Sequence, residues 1–160
     1  MPKLNRRIFL LLLIFLVILC DQVSKNWVRE HVTSEDRIEL MGSYVVLTYV
    51  ENMGALLGFA ETFSPGTKRI LLIGMPFLIL AVLCYYIFAS EKPDKIVTLT
   101  LSLVAGGGWG NLYDRFVYGS VTDFLYIDVN LFKTGIFNLA DIAISAGIAI
   151  LFFYSLFFKK

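Results

Sequence analysis

Charge is what this chain has least of. Asp, Glu, Lys and Arg make up 17% of its 160 residues, where a soluble domain carries about 25%. With 58% hydrophobic residues and a mean hydropathy of +0.73, the shortfall excludes an ordinary soluble domain and points to a membrane protein. Histidine and cysteine are nearly absent, at one and two residues. HExxH, CxxC pairs and His/Cys clusters are all missing, so no metal and no cofactor are expected. A net charge of +1 implies no nucleic acid or other acidic polymer as partner. His31 reads as a surface loop residue. Cys20 and Cys84 sit in apolar runs and read as small buried hydrophobes.

What the chain does have is apolar sequence in four runs, each near the ~20 residues that cross a bilayer. The expected spans are about 7–28, 70–89, 96–114 and 136–158. The first follows the basic start "KLNRR" and has a core short enough for a signal peptide. Val17, Ile18 and Leu19 are too large for cleavage before Cys20, so a retained span is expected. Four spans place both termini on one side. Basic residues tie at seven per face, but those at the termini and in the 90–95 loop are packed far more densely. Both termini are therefore expected in the cytoplasm.

Segments 29–69 and 115–135 then lie outside. Tyr44–Val50 is β-branched and aromatic, and Gly119-Ser120 reads as a turn before "VTDFLYI", so short strands are expected there. The expected fold is a mainly α membrane protein, one domain over 1–160, with four transmembrane helices and a small extracytoplasmic β platform.

The polar residues of the spans gather at the outer ends. Asp21, Ser24 and Lys25 close the first, Asn111, Asp114 and Arg115 close the third, and Asn138 and Asp141 open the fourth. An ionisable group in a span is penalised by about 2.5–3.5 kcal/mol, which makes it a functional hypothesis by default. Structural readings stand beside it. Asp21 and Lys25 are i, i+4 and can pair on one helix face. Arg115 can snorkel to headgroups or pair with Asp114 or another carboxylate. Asn138 suits the N-cap of the fourth helix, with Asp141 at N3. "AGGGWGN" lacks dinucleotide-loop spacing, and its glycines at 106, 107, 108 and 110 read as close helix contact.

Asp123, in the outer segment 18 residues before Asp141, adds a chemical reading. Two carboxylates in a dry site do not both ionise readily, so one keeps its proton. That gives an acid and a base without Ser, Cys or His, enough to hydrolyse an amide through an activated water. Spacing alone leaves open whether the two meet. A proton-coupled membrane carrier using the same aspartates as relays, and a lipid-binding scaffold built on Arg115, remain alternatives. A GxGD-type intramembrane protease lacks its GxGD string.

Five stretches, in order, resemble the bacterial lipoprotein signal peptidases (signal peptidase II): "DQVSK" at 21–25, "NMGALLGF" at 52–59, "GGGWGNLYDR" at 106–115, "GSVTDF" at 119–124 and "FNLAD" at 137–141. Leu57, often Phe in the family, and Gly108, often Ala, depart from the pattern in ways that touch pocket shape. The resemblance implies an aspartic endopeptidase of the bacterial inner membrane that cuts prolipoproteins just before a diacylglyceryl-modified Cys. It implies a catalytic dyad of Asp123 and Asp141. Asn52, Asn111, Arg115 and Asn138 would line the site or hold substrate, and Asp21 and Lys25 would shape or support it. Gly54, Asp114 and Ala140 fall on further motif positions of the binding and supporting set. A β platform and a flap over the dyad, no metal or cofactor, membrane lipid as surroundings, a monomer and an active site facing the periplasm complete the expectation.

Overall fold

The computed structural model describes residues 3–53, 63–90, 94–129 and 132–158. Gly54, the rest of the "NMGALLGF" stretch to residue 59, and the loop residues 91–93 lie outside them. Helix α1 covers Lys3–His31. A second rod, Pro65–Ala89, is built from α2 (Pro65–Arg69), a π-helical turn (Ile70–Gly74) and α3 (Met75–Ala89). Ser64 caps its start, accepting from Thr67 N–H at 3.3 Å. Pro76 accounts for the widened turn, because it has no N–H to return to Leu72 and its ring crowds that carbonyl. Helices α4 (Lys95–Val117) and α5 (Leu139–Phe157) complete the bundle. Asp94 caps α4 through Ile96 and Val97 N–H.

Three of these rods, α1, Pro65–Ala89 and α5, are long and apolar enough to cross a membrane. Helix α4 matches them in length but not in apolarity. It is the central helix, packed on α1, α3 and α5, so much of its surface meets protein rather than lipid. Its buried Thr98, Thr100 and Ser102 hydroxyls donate to their own helix's carbonyls, and its glycines let the neighbours close in. A Cβ on Gly106 would meet Val17, one on Gly107 the carbonyl of Ala140, one on Gly108 Leu80, and one on Gly110 Asp21.

Arg6 reaches the carbonyl of Ser90, and Tyr154 donates to Asp94, so the start of α1 and the end of α5 share one end of the bundle. At the other end sits an antiparallel sheet of order β1-β2-β3-β4, with β1 Ile38–Glu39, β2 Val45–Asn52, β3 Val121–Val129 and β4 Phe132–Lys133. Val28 of α1 and Val32 just beyond its end pack on Leu47 and Phe124 of the sheet. Gly119 makes the turn into β3 at φ +79°, a conformation costly for other residues.

Two readings are corrected. Cys20 is exposed and Cys84 half-buried, because in a membrane bundle the apolar surface faces lipid, as Leu11, Phe15 and Leu16 also do. His31 is not a loop residue. It ends α1, stacked on Trp27 at 4.9 Å between ring centroids.

Candidate active site

Asp123 and Asp141 are brought together by a short chain of local causes. The β2–β3 register slips between Leu47 and Val50, an extra residue on β2 that reverses the facing of the rest of the strand. As a result Asn52, not Glu51, shares a face with Asp123, and its Nδ2 donates to Asp123 Oδ2 at 2.9 Å. Two residues beyond Asp123, Leu125 exchanges backbone hydrogen bonds of 2.8 Å with Phe137. That bridge delivers the next residue, Asn138, to Asp123.

Asn138 is completely buried and bonds both carboxylates. Its Nδ2 donates to Asp123 Oδ1 at 2.6 Å, and its backbone N–H donates to Asp141 Oδ2 at 3.2 Å. Its Oδ1 accepts from Asp141 N–H at 3.0 Å. The capping box at the start of α5 is therefore real, and the same residues that form it line the site. Asn111 Nδ2 donates to Asp141 Oδ1 at 2.8 Å. Asp123 is 4% exposed. Burial, and then the charge of Asp141, push its pKa up from 3.8 to about 6, against the hydrogen bonds from Asn52 and Asn138.

Behind these side chains lies Lys25, wholly buried. Its ammonium reaches Asp21 Oδ2 at 2.8 Å, Asn111 Oδ1 at 2.8 Å and Asp114 Oδ2 at 2.9 Å, which uses its full donor capacity. The expected Asp21–Lys25 pair exists. Asp21 Oδ1 also accepts from Ala140 N–H at 3.0 Å, so α1 caps α5 from outside. Asp114 pairs with Lys25 and Arg29, the latter at 3.3 Å, and not with Arg115. Among the described residues Arg115 closes no ion pair.

A cavity of about 760 Å³ opens over the carboxylates. Asn52, Asn111, Arg115, Asp123 and Asp141 line its polar end, and Ile142, Ile144, Ala146 and Ala149 continue it along α5. Asn52 and Arg115 also border a second cavity, of about 710 Å³, against the π turn. Among the described residues no group of three or more His, Cys, Asp or Glu forms that can hold a metal.

The family profile of signal peptidase (SPase) II matches residues 13–157. The chain belongs to the signal peptidase II family. A lipoprotein signal peptidase of Sulfurihydrogenibium sp. (strain YO3AOP1) is 33% identical over 147 residues, 91% of this chain and 90% of that one. One of Yersinia pseudotuberculosis serotype O:1b (strain IP 31758) is 36% identical over 137 residues, 86% of this chain and 80% of the relative. Two structures of a bacterial membrane enzyme solved by the in meso method, at 2.3 and 1.9 Å, superpose with TM-scores of 0.81 at 24% identity. The first covers 95% of this chain and 92% of its own.

Beyond the residues anticipated for a signal peptidase II, the site has an unanticipated supporting layer. Arg29 Nε donates to Thr122 Oγ1 at 2.8 Å, and its guanidinium lies 3.9 Å over the Tyr118 ring. Thr122 Oγ1 donates to Glu51 Oε1 at 2.6 Å, and Ser120 to the other oxygen. Gln22 bridges Asp21 and Asp114. Arg29 was findable, since it continues the i, i+4 line of Asp21 and Lys25. Glu51 and Thr122 were not, because their pairing depends on the β2 slip.

Proposed function

We propose that this peptidase removes the signal peptide from prolipoproteins already carrying a diacylglyceryl group, cutting just before the modified Cys, with Asp123 and Asp141 as the catalytic pair. The observation that carries the reading is Asn138, which hydrogen-bonds both carboxylates at the polar end of an apolar cavity.

The two environments suggest the division of labour. Asp141 receives Asn111 Nδ2, whose Oδ1 is held by the Lys25 ammonium, and sits in the first turn of α5. Asp141 is assigned as the base, the partner of a protonated Asp123. Asp123, buried and with its pKa raised, keeps the proton. Asp141 takes a proton from water as the water oxygen attacks the scissile carbonyl carbon, and Asp123 gives its proton to the carbonyl oxygen. In the tetrahedral diol that results, Asp141 passes its proton to the leaving nitrogen. The C–N bond breaks while Asp123 recovers a proton from the hydroxyl. One water is consumed, leaving a carboxylic acid on the signal peptide, which ionises in water, and an amine on the lipidated Cys.

Asn52 and Asn138 hold Asp123, and Arg115 and Asn111 are placed to meet substrate backbone. The apolar strip of Ile142 to Ala149 spans about 10 Å of helix and suits a signal-peptide segment that stays in lipid. The density of basic residues supports cytoplasmic termini, with the carboxylates on the extracytoplasmic face of the inner membrane and the protein working as a monomer. The carrier reading finds little support, since the hydroxyls of inner α4 are spent on their own helix. The test is cleavage by the purified full-length chain of one precursor with and without its diacylglyceryl group, read by mass spectrometry. The lipidated form should be cut before Cys and the bare form at least 100-fold more slowly. Equal rates would remove the lipid from the specificity.

A further inference from the structure

The second cavity, about 710 Å³, lies between the π turn and the outer end of α4, across Asn52 and Arg115 from the carboxylates. Lys68, Arg69 and Arg115 give it positive charge, and Leu72, Ile73 and Phe116 give it an apolar wall. Among the described residues no acidic side chain lines it. Among the described residues none of the three cations closes an ion pair or donates a side-chain hydrogen bond. Phe116 is 80% exposed, so the cavity is open on the side where lipid would stand.

The π turn shapes this arrangement. The N–H of Met75 donates to the carbonyl of Ile70, five residues back, and Gly74 within that turn lines the cavity without a side chain to fill it. Two cations stand above an apolar slot. We propose that this cavity is a binding site for an anionic phospholipid of the bilayer, its phosphate held by Lys68, Arg69 and Arg115 and an acyl chain lying along Leu72 and Ile73. The diacylglyceryl group of the proposed substrate is neutral and has no use for three cations that close no ion pair among the described residues, whereas a phosphodiester headgroup does. That contrast rests on the substrate reading above, but the test uses no cleavage, so the two can fail separately.

The experiment is native mass spectrometry of the full-length protein in mild detergent, with phosphatidylglycerol and phosphatidylcholine of identical acyl chains at equal concentration. Wild type should retain one phosphatidylglycerol in preference to phosphatidylcholine. The K68Q/R69Q variant should lose roughly 25-fold of that preference, about fivefold per basic side chain, while K68R/R69K keeps it. K133Q, which removes a lysine paired with Asp128 at 2.8 Å on the sheet, should also keep it. Equal retention of the two lipids by wild type, or an unchanged preference in K68Q/R69Q, would overturn the site. Loss of the lipid preference on adding millimolar inorganic phosphate would overturn the lipid as its ligand. If K68Q/R69Q alone unfolds, a preference reduced in K68R/R69K or in K133Q would equally count against it.

Discussion

Adding one methyl group to Gly107 should damage catalysis far more than stability. A Cβ there would lie 2.4 Å from the carbonyl oxygen of Ala140 and 2.8 Å from Cγ1 of Ile144. A relaxed carbon–oxygen contact needs about 1 Å more, and the obstacle is backbone, which cannot rotate away. The first turn of α5 must therefore retreat by about 1 Å. Asp141 is the next residue, and Ala140 N–H sits 3.0 Å from Asp21 Oδ1, so the same retreat stretches that bond beyond useful length. A 1 Å misplacement of a reacting group costs on the order of 100-fold, while overpacking of this kind costs about 1–3 kcal/mol of stability. Gly108→Ala is the matched control on the same helix. Its Cβ meets Leu80 Cδ2 at 2.5 Å, but that is the end of a flexible side chain that can turn aside. Initial cleavage rates over a range of lipidated precursor, with thermal unfolding in detergent, separate the effects. Gly107→Ala should lose about 100-fold in kcat while remaining folded, and Gly108→Ala should stay within about threefold of wild type. Wild-type turnover by Gly107→Ala, or an equal loss in both variants, would refute the claim that this contact sets the position of Asp141.

Lys25→Met leaves Asp21 and Asp114 buried without their shared cation, and should lower unfolding free energy by about 3–5 kcal/mol, measured by denaturant titration. Lys25→Met combined with Asp21→Asn should recover part of the loss. Asp123 titrates near pH 6, and in the proposed mechanism it is the protonated partner. Because its folded pKa is raised, the active form is present below about 6 and is lost as pH rises through it. The kcat/KM profile should therefore fall about tenfold per pH unit above that point, and a flat profile to pH 8 would contradict the assignment. Asn138→Ala removes a cap worth about 1 kcal/mol, yet it should cost far more in kcat than in stability, because Asp123 loses its Nδ2 donor and the Asp141 N–H loses the Oδ1 that holds it.

The four helices were legible because apolar runs of membrane length have few alternatives, and the strands because β-branched residues cluster beside turn residues. The polar ends were legible too, since charge in hydrocarbon must be accounted for. What the sequence could not reveal was adjacency. Asp123 and Asp141 are joined by a two-residue bridge between Leu125 and Phe137, and no periodicity announces it. Nor does composition announce the slip in β2 that turns Asn52 toward Asp123, or the π turn upstream of Pro76. The Cys20 error has a different origin. Apolar residues on a lipid-facing bundle are exposed, while Asp21, Lys25 and Asp114 occupy the interior, so the usual rule for burial runs in reverse.

The central claim is that Asp123 and Asp141 together perform the hydrolysis, and substituting each in turn tests it most directly. Asp123→Asn and Asp141→Asn, purified as full-length protein and shown to unfold at temperatures close to wild type, should each reduce cleavage of a diacylglyceryl-modified precursor to background. Undiminished cleavage by either folded variant would contradict the account.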